Sequence, residues 1–103
     1  MKYNKEEVIA AWENGEKVAG VNPNLWRKDS CGAWIGRYNF GDQKSQYGWE
    51  IENNPTARPG SKVTLRPFQW KNMEQKSLGI PGCKVTSSGM QNVEVKEGFS
   101  LHS

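Results

Sequence analysis

Five tryptophans in a chain of only 103 residues constrain the fold more than any other feature of the sequence. Apolar residues make up only 35% of the chain, but three tyrosines and three phenylalanines accompany the tryptophans. Each buried aromatic side chain removes roughly 150–250 Å² of surface from water, whereas a domain of this length buries only about 60–65% of its unfolded surface. We therefore expect one small domain over residues 1–103, with a core built mostly from tryptophans. They are Trp12, Trp26, Trp34, Trp49 and Trp70.

The sequence predicts a soluble, cytoplasmic protein without a membrane partner. It contains no run of about 18 apolar residues, and its first residues, Met1 to Glu7, lack the apolar region of a secretory signal. Cys31 and Cys83 lie far apart and outside any CxxC spacing, which argues against a zinc site. We expect two reduced, partly buried thiols, as is usual in the cytosol.

A helix is predicted at the N-terminus of an α+β fold. Asn4 followed by Glu7 has the spacing of a helix N-cap and its reciprocal acidic partner. The apolar residues that follow have helical spacing, which predicts a helix over residues 5–14. Gly15 is expected to end this helix in the left-handed conformation, which glycine adopts without steric cost.

Strand and turn patterns alternate along the rest of the chain. Branched and aromatic residues indicate strands, and clusters of glycine, proline and asparagine indicate loops. Two β-hairpins are expected, one of them C-terminal around Ser88-Gly89. The predicted segments are a hairpin of strands 31–38 and 47–51, a loop over 53–62, an extended segment over 63–68, a short helix over 69–76, and a hairpin of strands 83–87 and 91–95.

The middle of the chain resembles the ββα-metal core of HNH endonucleases. Residues 47–54 read Tyr-Gly-Trp-Glu-Ile-Glu-Asn-Asn, where one branch of that family has Tyr-Gly-Trp-Glu-Ile-Asp-His-Ile. Residues 64–76 read Thr-Leu-Arg-Pro-Phe-Gln-Trp-Lys-Asn-Met-Glu-Gln-Lys and correspond to the second strand and the helix. Residues 26–35 also resemble the segment before this motif. The resemblance covers about residues 5–95 and implies a ββα-metal, HNH-like fold.

The same resemblance implies that the catalytic positions have been replaced. An HNH site binds one divalent metal and uses a histidine as general base. The metal-binding acid corresponds to Glu52, the base to Asn53, the loop asparagine to Thr64 and the helical ligand to Met73. An amide cannot accept a proton near neutral pH, and a thioether is a poor ligand for Mg²⁺. The chain's single histidine is the penultimate residue, His102. We therefore expect no enzyme activity, no cofactor and no bound metal.

One alternative for a cation remains within this segment. Glu50 and Glu52 share a strand face, because side chains alternate along a strand, and Glu74 lies on the predicted helix. Together they could hold a hard cation. A solvated acidic face opposite Lys71 and Lys76 is the favoured interpretation.

Three functions are compatible with these residues. The first is a binding protein on an inactive HNH-like scaffold, such as a phage or mobile-element inhibitor of a host defence complex of the anti-CRISPR type. It would act by steric occupation, presenting the loop at 53–62 and exposed aromatic residues to a host protein or ribonucleoprotein complex. The second is a nucleic-acid-binding module, which the net charge of +3 permits. The third is an active metal-dependent nuclease with a rewired site. The candidate binding residues are Arg58, Lys62, Arg66, Trp70, Lys71 and Lys76.

Overall fold

The computed structural model describes residues 3–54 and 64–95, and it shows the predicted α+β fold. Within these residues, six short strands form three separate antiparallel pairs, β1–β2, β3–β4 and β5–β6. The elements in chain order are α1 (Lys5–Glu13), β1 (Trp26–Lys28), β2 (Trp34–Gly36), β3 (Trp49–Asn54), β4 (Thr64–Gln69), α2 (Trp70–Ser77), β5 (Val85–Ser88) and β6 (Gln91–Glu94).

Helix α1 begins as the sequence predicts. The Glu7 backbone N–H donates to the Asn4 side chain at 2.8 Å, and the Asn4 backbone N–H donates to the Glu7 carboxylate at 3.0 Å. The helix ends just before Gly15, with Asn14 as its C-cap, but the predicted left-handed conformation of Gly15 is wrong. Gly15 instead permits close packing: a β-carbon there would stand 3.3 Å from the Arg27 side chain.

The first predicted hairpin is also wrong in its pairing. Strand β2 pairs with β1, with Lys28 opposite Trp34, and not with the strand that begins near residue 47. The reason is a tight turn between β1 and β2. The Asp29 carboxylate accepts from the backbone N–H groups of Cys31 and Ala33, and Gly32 adopts a φ of 83°. This turn reverses the chain, so that β2 lies alongside β1.

Strands β3 and β4 form a hairpin that leads directly into α2. Glu52 lies opposite Arg66, and Asn54 lies opposite Thr64. Residues 53 and 54, predicted to start a loop, are the last two residues of β3, while the rest of that predicted loop lies outside the described residues. Helix α2 begins within one residue of its prediction, and the Gln69 side chain caps it. The predicted C-terminal hairpin is confirmed as β5–β6.

Tryptophans form much of the core. Trp12 and Trp49 are fully buried, with ring centroids 5.6 Å apart, and they pack with Ile35 and Ile51. Trp34 is also buried, whereas Trp26 and Trp70 are only half-buried. Three of the five tryptophans therefore lie in the interior.

The two cysteines form a disulfide, so the prediction of reduced thiols is wrong. Cys31 follows β1 and Cys83 precedes β5, and their Cα atoms lie 5.8 Å apart despite a separation of 52 residues along the chain. That distance is usual for a disulfide. Disulfides persist in oxidising surroundings, so this bond does not support the cytoplasmic prediction. Within the described residues, no helix is long and apolar enough to cross a membrane.

Candidate functional site

Glu52, which the resemblance to HNH endonucleases predicts to correspond to the metal-binding acid, is held by two cations. Its Oε1 atom accepts from Arg66 Nε at 3.1 Å and from Arg66 Nη2 at 2.8 Å. Its Oε2 atom lies 3.3 Å from Lys76 Nζ. The strand register places Arg66 directly across from Glu52, and Lys76 reaches it from the last turn of α2. Both carboxylate oxygens therefore have a positively charged partner.

The same two cations also pack on the ring of Phe68. The Arg66 guanidinium carbon lies 5.2 Å from the ring centroid, and Lys76 Nζ lies 4.7 Å from it. Cations at such distances are attracted by the electron-rich ring face. Because Phe68 is buried and Glu52 is only 18% exposed, these contacts anchor α2 on the β3–β4 hairpin.

The other three positions predicted from this resemblance bring no acid–base group to Glu52. Asn53 is exposed and lies opposite Leu65, and Thr64 lies at the start of β4 opposite Asn54. Met73 precedes Lys76 by three residues, so it shares a face of α2 with that lysine. Lys76 on that face contacts Glu52, whereas Met73 is a half-buried thioether.

The carboxylates of Glu50, Glu52 and Glu74, which could together have held a cation, do not come together at one site. Burial raises the pKa of Glu50, Glu52 is ion-paired, and Glu74 is exposed beside a groove at the end of α2. Over residues 3–54 and 64–95, no group of three or more His, Cys, Asp or Glu side chains could hold a metal. The favoured interpretation of a solvated acidic face is correct only in pairing Lys76 with Glu52. The Glu52 side chain is largely buried, and Lys71 pairs instead with Glu94 at 3.6 Å.

A buried polar network that the sequence analysis missed lies next to this hairpin. The Asp29 carboxylate is 1% exposed and accepts four N–H groups. They come from the backbone of Cys31, Ala33 and Gln69 and from the Asn72 side chain, at 2.9–3.0 Å. Burial raises the pKa of Asp29, and the four hydrogen bonds oppose that rise.

Asn72 extends this network to the C-terminal part of the chain. Its side-chain N–H groups donate to Asp29 and to the Val85 carbonyl, and its oxygen accepts from the backbone of Lys84 and Val85. Asp29 and Gly32 in sequence indicate a local turn, which could have identified part of the network. Asn72 carries no such local signal.

A second region of interest surrounds the half-buried Trp70. Its indole N–H donates to the Ser45 carbonyl at 3.1 Å, and cavities of about 230 and 270 Å³ lie on either side of it. Leu78 is 70% exposed and Ile80 is 49% exposed next to the larger cavity, and the exposed Val93 lines the smaller one. We call Trp70, Leu78, Ile80 and Val93 the Trp70 surface. Charged side chains border it, namely Lys44, Lys71, Glu74, Lys84 and Glu94.

The candidate binding residues thus fall into three groups. Arg66 and Lys76 hold Glu52, and Trp70 and Lys71 belong to the Trp70 surface or its border. Arg58 and Lys62 lie outside the described residues, as does His102.

No protein-family model, characterised protein or solved structure matches this chain. The likeness to HNH endonucleases therefore rests on the residues of the chain itself.

Proposed function

We propose that this chain is a non-catalytic, HNH-like scaffold that acts by binding a host protein or ribonucleoprotein complex. Its role would be that of a phage or mobile-element inhibitor of host defence, of the anti-CRISPR type. The observation that carries this proposal is the double ion pair of Glu52 with Arg66 and Lys76.

This ion pair supports the loss of metal-dependent chemistry. A divalent cation would have to displace Arg66 or Lys76 from Glu52. Asn53 supplies no general base, and Met73 supplies a soft thioether at the position of the helical metal ligand. Arg66 and Lys76 already have a carboxylate partner, so they are also less suited to grip a phosphate backbone. A structural role for this cluster follows, with function placed elsewhere on the surface.

The Trp70 surface supports the choice of a protein partner. Protein interfaces usually combine an apolar, aromatic centre with a polar rim, and tryptophan is enriched among the residues that dominate binding. Trp70, Leu78 and Ile80 supply such a centre, and side chains of both charges surround it.

A nuclease assay tests the catalytic half of the proposal. Supercoiled plasmid is incubated with Mg²⁺, Mn²⁺ or Ni²⁺ and the wild-type protein, and we expect no metal-dependent nicking. The combined variant Asn53→His, Thr64→Asn, Met73→His with Arg66→Ala and Lys76→Ala, which frees Glu52 from its two cations, is expected to gain nicking, and adding Glu52→Ala is expected to abolish it. Nicking by the wild-type protein would show that the chain is an enzyme. If the combined variant neither nicks nor binds metal, that result would count against the HNH ancestry.

A capture experiment tests the binding half. The tagged protein is incubated with nuclease-treated lysate of its native host, and we expect it to retain a defence protein or complex. The double variant Leu78→Asp, Ile80→Asp should lose this partner, because burying two new carboxylates in an apolar contact is unfavourable. Leu25→Asp is the matched control, since Leu25 is 45% exposed and lies outside the Trp70 surface. Equal capture of the partner by the double variant and by Leu25→Asp would contradict the proposal. So would recovery of bare DNA alone from a parallel sample of lysate that has not been treated with nuclease.

A further inference from the structure

Three aromatic side chains line a cavity of about 240 Å³ that is separate from both regions described above. Trp26, Trp34 and Tyr47 form its walls, and Met90 and Gln91 complete its lining. Trp26 and Tyr47 meet edge to face, with ring centroids 4.9 Å apart. We call these five residues the aromatic cage. None of them is a vestigial HNH position.

The β1–β2 hairpin presents the cage on one of its two faces. Side chains alternate along a strand, so Trp26 and Lys28 share one face of β1 while Arg27 between them is buried on the other. Trp34 lies directly opposite Lys28 in the register, and the Lys28 ammonium group lies 4.8 Å from its ring centroid. The hairpin therefore sets a cation beside the aromatic walls.

Two hydrogen bonds hold the β5–β6 turn against this face. The Trp34 indole N–H donates to the Gly89 carbonyl at 2.7 Å, and the Tyr47 hydroxyl donates to the Met90 carbonyl at 3.0 Å. With its carbonyl fixed in this way, Met90 still exposes 66% of its surface beside the cavity. Two of the three walls, Trp34 and Tyr47, are therefore held in place before any ligand arrives, and Trp26 packs edge to face on Tyr47.

The chemistry of the cage selects one class of ligand. Aromatic cages often bind quaternary ammonium groups, but here the Lys28 ammonium group already occupies the neighbourhood of Trp34 and would repel a second cation. Among the described residues, no carboxylate lines the cavity. Among the ion pairs of residues 3–54 and 64–95, none involves Lys28, so its charge is available for an anion. A planar aromatic ring with an attached phosphate matches both the aromatic walls and the positive charge of Lys28.

We propose that the aromatic cage binds an unpaired base of single-stranded nucleic acid, with Lys28 contacting the adjacent phosphate. Stacking on aromatic side chains is open to every base, because each base has a π-face. Bases in a duplex are stacked on one another and cannot enter. This site does not depend on the proposed protein-binding function.

Fluorescence anisotropy with a short fluorescein-labelled polythymidine oligonucleotide tests the proposal. We expect saturable binding, weaker binding of a duplex of the same length, and a loss of about tenfold or more in affinity for Trp26→Ala. Trp26→Phe keeps a ring and should bind with intermediate affinity, which separates stacking from any loss of folding. Lys28→Gln should make the dependence of the association constant on salt less steep, reducing the magnitude of the slope of log K against log salt concentration by about 0.7. Lys84→Gln, which removes an exposed lysine beside the Trp70 surface, should leave the slope unchanged.

Nuclear magnetic resonance of the indole N–H groups identifies the ligand that enters the cage. Thymidine monophosphate is expected to shift the Trp26 and Trp34 signals, and tetramethylammonium is expected to leave them in place. The proposal is overturned if tetramethylammonium shifts them and the nucleotide does not. It is equally overturned if oligonucleotide binding is absent, or if it is insensitive to Trp26→Ala, Trp26→Phe and Lys28→Gln. A protein partner whose capture depends on Trp26, without oligonucleotide binding, would assign the cage to a side chain of that partner.

Discussion

Gly48 stands at the point where β3 starts and the preceding loop folds back on it. A β-carbon there would lie 1.7 Å from the Asp42 carbonyl oxygen and 3.3 Å from the Ser45 carbonyl oxygen. Both neighbours belong to the backbone, so neither can move aside as a flexible side chain could. Gly48 is also hydrogen-bonded through its own backbone to Ser45 and Trp70. The residue before the core tryptophan Trp49 therefore has to lack a side chain.

Gly48→Ala is expected to destabilise the protein by about 3 kcal/mol or more, toward the upper end of effects of single substitutions. The measurement is the free energy of unfolding from urea titration. Gly79→Ala is the control, because Gly79 has a φ of 76° but no atom of the described residues lies within 4 Å of its would-be β-carbon. The control substitution should lower the free energy of unfolding by only about 1–2 kcal/mol, through conformational strain. Similar losses for the two variants would argue against the close approach at Gly48.

The C-terminal hairpin is attached to the rest of the protein chiefly through amide side chains. Asn92 accepts from the Trp34 backbone N–H at 2.7 Å and donates to the Trp34 and Gln46 carbonyls at 2.9 and 2.7 Å. The Gln46 side chain in turn accepts from the Asn92 backbone N–H. Val85 is buried, while β6 is mostly exposed, so apolar burial contributes little to this attachment.

Asn92→Asp is expected to release the hairpin. The substitution turns a donor into an oxygen that faces two carbonyl oxygens, and an unsatisfied or repelled polar group costs about 1–3 kcal/mol. Hydrogen exchange should show lost protection for amides of residues 85–94, while α1 keeps its protection. Gln43→Glu makes the same chemical change at an exposed position and should have no such effect. Unchanged exchange in the hairpin of Asn92→Asp would show that other contacts hold it.

At the scale of the whole molecule, long-range links bind elements that have little apolar surface to share. The Asp29–Asn72 hydrogen bond joins the β1–β2 turn to α2, and the Cys31–Cys83 disulfide joins the same turn to the segment before β5. Small domains often need a covalent link such as this disulfide, because their cores are limited. Both links start at the β1–β2 turn, and this turn therefore connects the three strand pairs to one another.

Reduction of the disulfide is expected to lower stability markedly. Closing a loop of 52 residues restricts the unfolded chain by about 4 kcal/mol in the loop-entropy model. Urea titration of the oxidised protein should therefore give a higher midpoint than titration in reductant, and the double variant Cys31→Ser, Cys83→Ser should behave like the reduced protein. Mass spectrometry after alkylation establishes the redox state in each sample. Two alkylated thiols in the untreated protein, or identical midpoints, would contradict this expectation.

The amino-acid sequence by itself determined the elements whose energetics are local. The capping box of Asn4 and Glu7 defined the start of α1, and period-two alternation around Ser88-Gly89 defined the β5–β6 hairpin. The residues that decide such features lie within a few positions of one another, so short patterns carry the information. The predicted short helix was found within one residue for the same reason.

Only the tertiary structure decided which distant residues meet. It paired β2 with β1, joined Cys31 to Cys83, and buried three tryptophans while leaving Trp26 and Trp70 at the surface. It also placed two cations on Glu52, which no spacing in the chain reveals. These contacts depend on how all elements pack at once, because each becomes favourable only when the others have already brought its partners together.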